Sequence, residues 1–348
     1  MAEPRKGRAS GIGGIVTARI SGGPVRSLRA RYPLLVLLGQ RIALSAGLLL
    51  AVSLMIFLGV EALPGDFAQT YLGQSATPQA VANIRAELGL DQPAVSRYLD
   101  WLGGVLRGDF GQSWASRLSV SDQIAGRLGN TLFLAFCAAI VAVPLAVGLG
   151  MLSVLYRDRF ADRFINVLSL GAISLPEFFV GYLLILVFGI QLGWVSFPST
   201  VYAGMPFGAR LQAVALPVAT LVLVVLAHMM RMTRAAILNV MSQAYIETAE
   251  LKGLSAMRII AHHAAPNALA PIINVVALNL AYLVVGVVVV EVVFVYPGMG
   301  QYMVDAVSVR DMPVVQACGL IFASVYIVLN MVADILGILA NPRLRHPR

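Results

Sequence analysis

The chain has 348 residues, of which 59% are hydrophobic and only 12% charged, with a mean hydropathy of +0.82 and a formal net charge of +8. Soluble globular chains carry roughly 25% charged residues, so the composition excludes an ordinary soluble protein and indicates an integral membrane protein. The basic residues fall at the ends of apolar runs, not among aromatics as on a nucleic-acid-binding surface, and no nucleic-acid partner is expected.

Residues 1–41 read as a cytosolic arm and lead-in. Met1–Arg31 is rich in Gly, Ser and Arg and too polar to build a core; Tyr32–Arg41 is a helical lead-in. Arg5, Lys6 and Arg8 are not followed by a short apolar region with a small-residue cleavage site, so no signal peptide is expected. A helix crosses a bilayer core with about 20 mainly apolar residues. Six runs qualify: Ile42–Val60, Thr131–Leu155, Ile165–Ile190, Val214–Met229, Ile272–Val295 and Val314–Leu339. Their apolar character is continuous, which predicts helices and not barrel strands. The organisation expected is an all-α integral membrane protein with six transmembrane helices. It divides into a first helix with an extracytoplasmic segment (42–126), a five-helix domain (127–340) and a cytosolic tail (341–348).

An even number of spans puts both termini on one side, and the bias of Lys and Arg chooses it. Eighteen basic residues lie before the first span, between spans two and three, between spans four and five, and in the tail; seven lie on the other side, five of them in one long loop. Cytosolic termini follow. Within the long outer segment Glu61–Asn130, Thr77-Pro78 reads as a helix cap and first helical residue, and Gly89 as its stop. Val95, Tyr98, Leu99, Leu102, Val105 and Leu106 recur at helical spacing and predict a second helix with one apolar stripe, suited to a membrane surface or a neighbour.

Cys137 and Cys318 lie inside apolar runs and read as small buried hydrophobes. In the third span Pro176 is expected to kink the helix. Glu177, which follows it, is a mid-span carboxylate of the kind that faces a cavity or a partner. Two readings stand for it: it lines a route and meets a cationic group of a substrate, or it is paired with another helix or protonated. Pro176, Glu177 and Asn279 are the candidates for a translocation path. Asn279, Asn330 and Asp334 present polar faces that a partner subunit would cover. Glu177, Glu291 and Asp334 also permit an alternative, an ion-gradient-driven secondary transporter with a carboxylate relay.

The most informative stretch is Tyr245–Pro271, polar and helical between two apolar runs. Gly253 permits a sharp turn that ends a helix Ala244–Leu251. A second helix, Ser255–Ala265, is expected to start on Ser255 as cap, with Pro266 and Pro271 redirecting the chain into span five. Two short helices at an angle would make a projecting knob, with Glu247 offering a carboxylate to a basic residue of a partner. His262-His263 lack an HExxH pattern or a third ligand and read as interfacial histidines. The chain's lysines, Lys6 and Lys252, do not follow a glycine in a P-loop context, so no nucleotide site is expected on this chain.

Glu247, Thr248, Ala249, Gly253 and Pro266 fall at the spacing of the EAA signature and resemble that of ATP-binding cassette (ABC) importer permeases. The resemblance extends along the chain through Leu63-Pro64-Gly65-Asp66, Ala86–Pro93, Gly108–Ser113, Ser174-Leu175-Pro176, Lys252-Gly253-Leu254, Pro266-Asn267-Ala268, Tyr296–Gly300, Arg310-Asp311 and Asn341-Pro342-Arg343. Together these are similar to the first membrane subunit of the dipeptide/oligopeptide/nickel branch. The resemblance implies a type I ABC importer permease fold and no enzymatic chemistry on this chain. It implies a coupling loop (241–268) in which Glu247, Thr248, Ala249, Lys252, Gly253, Leu254 and Pro266 dock an ATPase. It also implies a homologous second permease, two ABC ATPase subunits carrying ATP-Mg, and a periplasmic or extracytoplasmic solute-binding protein. The cargo would be peptides, or another small solute such as nickel, an opine or glutathione. Glu250, where relatives often carry a basic residue, and Glu177, where they often carry a small or hydroxylic one, depart from the pattern.

Overall fold

A computed structural model of the chain describes residues 33–62 and 67–340. The arm before residue 33, the Leu63-Pro64-Gly65-Asp66 turn and the tail with Asn341-Pro342-Arg343 lie outside the described residues. The chain divides into two units, Met1–Gly47 and Leu48–Arg348. Of the first, the described part is the start of helix α1, Pro33–Glu61; Gly39–Glu61 is long and apolar enough to cross a membrane. The larger unit contains everything else. Among the described residues it is helical, with a single isolated β-bridge between Gln112 and Ser119.

After α1 come three short helices: α2 (Phe67–Leu72), α3 (Pro78–Glu87) and α4 (Ala94–Val105). Helix α3 starts and stops where its sequence dictates. The Ala80 amide donates to Thr77 Oγ1 at 3.2 Å with Pro78 in the first turn, and Gly89 adopts φ +66°, letting the Leu90 amide return to the Arg85 carbonyl. The stripe of α4 is shared between two surroundings. Tyr98 packs at a tilt of 58° against Phe57 with ring centroids 5.3 Å apart, and its hydroxyl lies 2.8 Å from Ser53 Oγ. Val95, Leu99 and Leu106 stay exposed.

Helix α5 (Val120–Leu155) begins well before the expected Thr131, capped by Ser119, whose Oγ accepts the Asp122 amide. Its polar first turns hid it from a search for apolar runs. The third span is not a kinked helix but a broken one. Helix α6 (Phe160–Ser174) and helix α7 (Glu177–Leu184), which continues into a π-helical turn Ile185–Gln191, meet at 101°. The cause is local: a residue before proline is pushed out of the α region, and Leu175 sits at φ −92°, ψ 131°. Helix α8 (Phe207–Ala213) precedes α9 (Ala215–Met241), which outruns the expected Val214–Met229 because Arg231 and Arg234 end the apolar run without ending the helix. Then follow α10 (Ala244–Leu251), α11 (Ala256–Ile259) with a π-helical turn Ile260–Ala264, α12 (Ala265–Phe294), α13 (Met299–Val309) and α14 (Met312–Ala340).

The expectation that Pro266 and Pro271 redirect the chain fails. Pro266 sits in the first turn of α12, where its missing donor is not needed, and Pro271 lies inside the helix. The run Ala256–Val284 is itself long and apolar enough to cross a membrane. Ser255 precedes α11 in an extended conformation, but its side chain makes no capping bond.

Helices α5, α9 and α12 form the core, with Leu134, Leu221, Val287, Phe294 and Tyr296 packed together. At one end of it, Ile185 packs in the same cluster as Val214 and Phe294. At the other, Asp162 bonds Arg234. The bent pair α6–α7 therefore runs from one end of α9 to the other and acts as one broken crossing, which with the five long apolar helices gives six crossings among the described residues.

The end bearing Phe294 is held by two buried carboxylates. Glu291 is 0% exposed; its Oε2 accepts the amides of Gly300 (2.7 Å) and Gln301 (3.1 Å), and its Oε1 accepts the Thr131 hydroxyl at 2.6 Å. The carboxylate thus caps α13 at its positive N-terminal end. A Cβ on Gly298 would fall 2.0 Å from Glu291 Oε1, which explains the glycine there. Asp311, also buried, accepts the Ser113 hydroxyl and the amides of Trp114 and Ala115. Gly108–Ser113 and Arg310-Asp311, far apart in sequence, are two halves of one staple.

Candidate functional site

Two places have the makings of a working site: the polar hairpin between α9 and α12, and a cavity at the break between α6 and α7. In the hairpin, Gly253 at φ +74° ends α10 with two reciprocal bonds, Leu254 amide to Ala249 carbonyl and Gly253 amide to Glu250 carbonyl. This is the glycine-terminated helix end in which orphan carbonyls are satisfied by the turn itself.

The hairpin has two faces. Ile246, Ala249, Ile259, Ile260, Ala264 and Ala268 are buried in one cluster with Val154 of α5 and Ile237 of α9. Glu247, Thr248, Glu250, Lys252 and Gly253 are exposed, as is Pro266, and Leu251 is 84% exposed. Leu254 is half-buried against the cluster. Of the seven predicted docking residues, Ala249 and Leu254 therefore anchor the hairpin to the bundle, while Glu247, Thr248, Lys252, Gly253 and Pro266 are available at its surface. A large exposed apolar side chain flanked by charges is the profile of a contact surface, and Leu251 was not singled out from sequence.

A clamp missed by sequence reasoning fixes the base of this hairpin. Asp162, 4% exposed, receives Arg234 on both oxygens (Nε to Oδ1 3.1 Å, Nη2 to Oδ2 2.9 Å). The Ser153 hydroxyl, the Asn166 amide and the Asp158 backbone N–H also donate to it. The clamp joins α5, α6 and α9 where the hairpin leaves α9. Arg234 counted in the sequence only as a topology charge, and its partner lies 72 positions away.

The cavity measures about 690 Å³, and Pro176, Glu177 and Asn279 all line it, together with His228, Leu278 and Tyr282. Its walls are the α6–α7 break, the middle of α9 and α12. Non-helical backbone within a membrane is tolerated where it is buried in protein or lines a cavity that water can enter, and this break lines a cavity. Glu177 starts α7, where the helix dipole favours a carboxylate. Its Oε2 has no hydrogen-bond partner among the described residues and lies where a Cβ on Gly286 would approach to 3.3 Å, so the glycine makes room for it.

Asn279 is 6% exposed and donates one amide hydrogen to the Val275 carbonyl one turn back at 2.8 Å. Asn330 does the same with Tyr326. His228 was missed in the sequence; the signal was a lone imidazole in an apolar run. Neither Glu291 nor Asp334 lines the cavity; Glu291 Oε2 is engaged in capping α13 and its Oε1 accepts the Thr131 hydroxyl.

Residues 131–346 match the family model described as "Binding-protein-dependent transport system inner membrane component", and residues 34–135 match its N-terminal companion. The chain is 38% identical over 298 residues to the glutathione transport system permease protein GsiC of Escherichia coli K12, covering 86% of this chain and 95% of the relative. It is 38% identical over 304 residues to the protein of that name from Shigella boydii serotype 4, with the same coverage. Among solved structures, an inward-facing MetNI methionine ABC transporter matches at 15% identity with a TM-score of 0.49, covering 63% of this chain and 96% of that one.

Proposed function

The chain belongs to the family of binding-protein-dependent transport system inner membrane components, and on that premise we propose how its two sites divide the work of an ABC importer. As a multi-pass permease of the inner membrane it serves transport, not covalent chemistry. The hairpin around Gly253 is the seat of a separate ABC ATPase, and the cavity at the α6–α7 break is part of the route for cargo. Both termini lie in the cytosol, with the hairpin. No cofactor resides on this chain; ATP-Mg is held by two partner ATPases. A homologous second permease completes the route, and a solute-binding protein delivers cargo to the opposite end. The cargo is a small peptide, with glutathione, named for the relatives, the first to test.

One observation carries this reading: the hairpin's inner face is locked into the ends of α5 and α9 while its outer face, with Leu251, Glu247 and Lys252, is open. A partner gripping that face moves the bundle, not a loose loop. ATP binding then biases a two-state rocking element whose other ligand is the cargo.

The test is co-purification of the solubilised protein from its native membrane, wild type against Gly253→Asp. A Cβ at Gly253 would meet nothing within 4 Å, but φ +74° strains any side chain placed there, so retention of the second permease by the variant is the control that separates lost docking from lost folding. The expected result is ATPase and second permease with wild type, and loss of the ATPase alone from the variant. Wild type recovered only with itself would sink the proposal.

A further inference from the structure

We propose that Glu177 makes the cavity cation-selective, so that solutes carrying an ammonium or guanidinium group are admitted in preference to anionic solutes of the same size. The inference rests on the reading of this cavity as the cargo route. It adds the chemical feature of the cargo that the wall selects.

Three observations carry it. Glu177 lies on the wall of the 690 Å³ cavity at the depth where the crossing is broken. Among the described residues its buried Oε2 has no hydrogen-bond partner and its side chain no ion pair, whereas the buried carboxylates of Asp162, Glu291 and Asp311 are each engaged several times over. Gly286, opposite, has no side chain to fill the space the oxygen occupies. A carboxylate held inside a membrane without a partner is costly, and a positive group entering the cavity offsets that cost, while a negative one adds to it. The remaining polar wall, His228, Asn279 and Tyr282, offers hydrogen bonds but no opposing fixed charge from Lys or Arg.

The test needs no knowledge of the cargo. In a chain freed of its own thiols (Cys137→Ala, Cys318→Ala), Leu278→Cys places a reporter on the cavity wall. Membrane vesicles holding the assembled importer are treated with a methanethiosulfonate bearing an ammonium and, separately, one bearing a sulfonate. The rates are normalised to those with a free thiol. The ammonium reagent is expected to react about tenfold faster than the sulfonate reagent, the effect of one unscreened charge at close range. Glu177→Gln should remove the preference and Glu177→Asp should keep it. A preference unchanged in Glu177→Gln, or a reporter that neither reagent reaches, overturns the proposal. Loss of the second permease from Glu177→Gln would also overturn it, by making the carboxylate an intersubunit contact. Because ATPase co-purification is read separately, a failed charge preference and a failed importer assignment give different results.

Discussion

Replacing Asp162 by Asn keeps the volume of the side chain and removes the charge at the clamp between α5, α6 and α9. The carboxylate accepts from Ser153, Asn166 and Arg234 Nε on Oδ1, and from the Asp158 amide and Arg234 Nη2 on Oδ2. An Asn amide placed at Oδ2 faces two donors it cannot satisfy, and placed at Oδ1 it faces three, so the gentler orientation is the one lost at Oδ2. Hydrogen bonds to charged groups contribute about 1.5–3 kcal/mol each, and breaking a buried ion pair costs roughly 3–5 kcal/mol. The Arg234 side chain is 24% exposed and recovers some hydration, which puts the loss near the lower bound, about 3 kcal/mol. The assay is unfolding of the solubilised protein in mixed micelles for Asp162→Asn, Arg234→Met and the double variant. The singles should each destabilise strongly, and the double should fall well short of their sum, with a coupling of about 2 kcal/mol. Additive effects would show that the two side chains do not act as a pair and would refute the clamp.

Gly298→Ala should lower the thermal midpoint of the solubilised protein, since its Cβ would lie 2.0–2.3 Å from the Glu291 carboxyl and evict it from two amides, a loss of about 2–4 kcal/mol; an unchanged midpoint would contradict the cap. Asp311→Asn should speed hydrogen–deuterium exchange at the Trp114 and Ala115 amides, both of which donate to Asp311, while leaving exchange in α9 unchanged. Single cysteines at Met257 and Val95, both exposed, in the thiol-free background should react with an impermeant maleimide from opposite sides of sealed vesicles, Met257→Cys in inverted ones. Labelling from the same side would refute the proposed topology.

The crossings were legible in the sequence because a bilayer demands a contiguous apolar run, and α3 and the Gly253 turn because their signals are local. What escaped depended on partners distant in the chain. Glu291 looked like a relay carboxylate until Gly300, Gln301 and Thr131 were brought around it. Arg234 counted only as a topology charge, and Asp162 was not singled out at all. Pro176 announced a disturbance but not its size: a proline removes one bond, whereas the 101° break also depends on Leu175 leaving the α region and on α7 finding its own packing against Phe294 through Gly181. Pro176, Glu177 and Asn279, in two spans, were named together from the sequence as a candidate path; the fold puts all three on the wall of one cavity and adds His228.

Helix α9 links the two sites. It carries Arg234 of the clamp and, six positions earlier, His228 of the cavity wall, about 9 Å along the helix axis. Between these levels α5 approaches α9 closely at Gly150, where a Cβ would lie 2.9 Å from Thr233 Cγ2 and 3.2 Å from the Met230 carbonyl oxygen. A helix interior ordinarily gains about 1 kcal/mol from Gly→Ala. Here the sign should reverse, because the Met230 carbonyl belongs to a helix backbone and cannot retreat alone, and forcing a methyl into a packed contact costs about 1–3 kcal/mol. Gly150→Ala should therefore lower the thermal midpoint, and adding Thr233→Ser, which removes the nearest methyl, should restore part of the loss. The same separation of α5 from α9 should weaken the transmission of a pull on the hairpin to the cavity, so uptake should fall further than ATPase binding does. A raised midpoint in Gly150→Ala would mean that the two helices have slack at this level, and that α9 does not move as one rigid piece with α5.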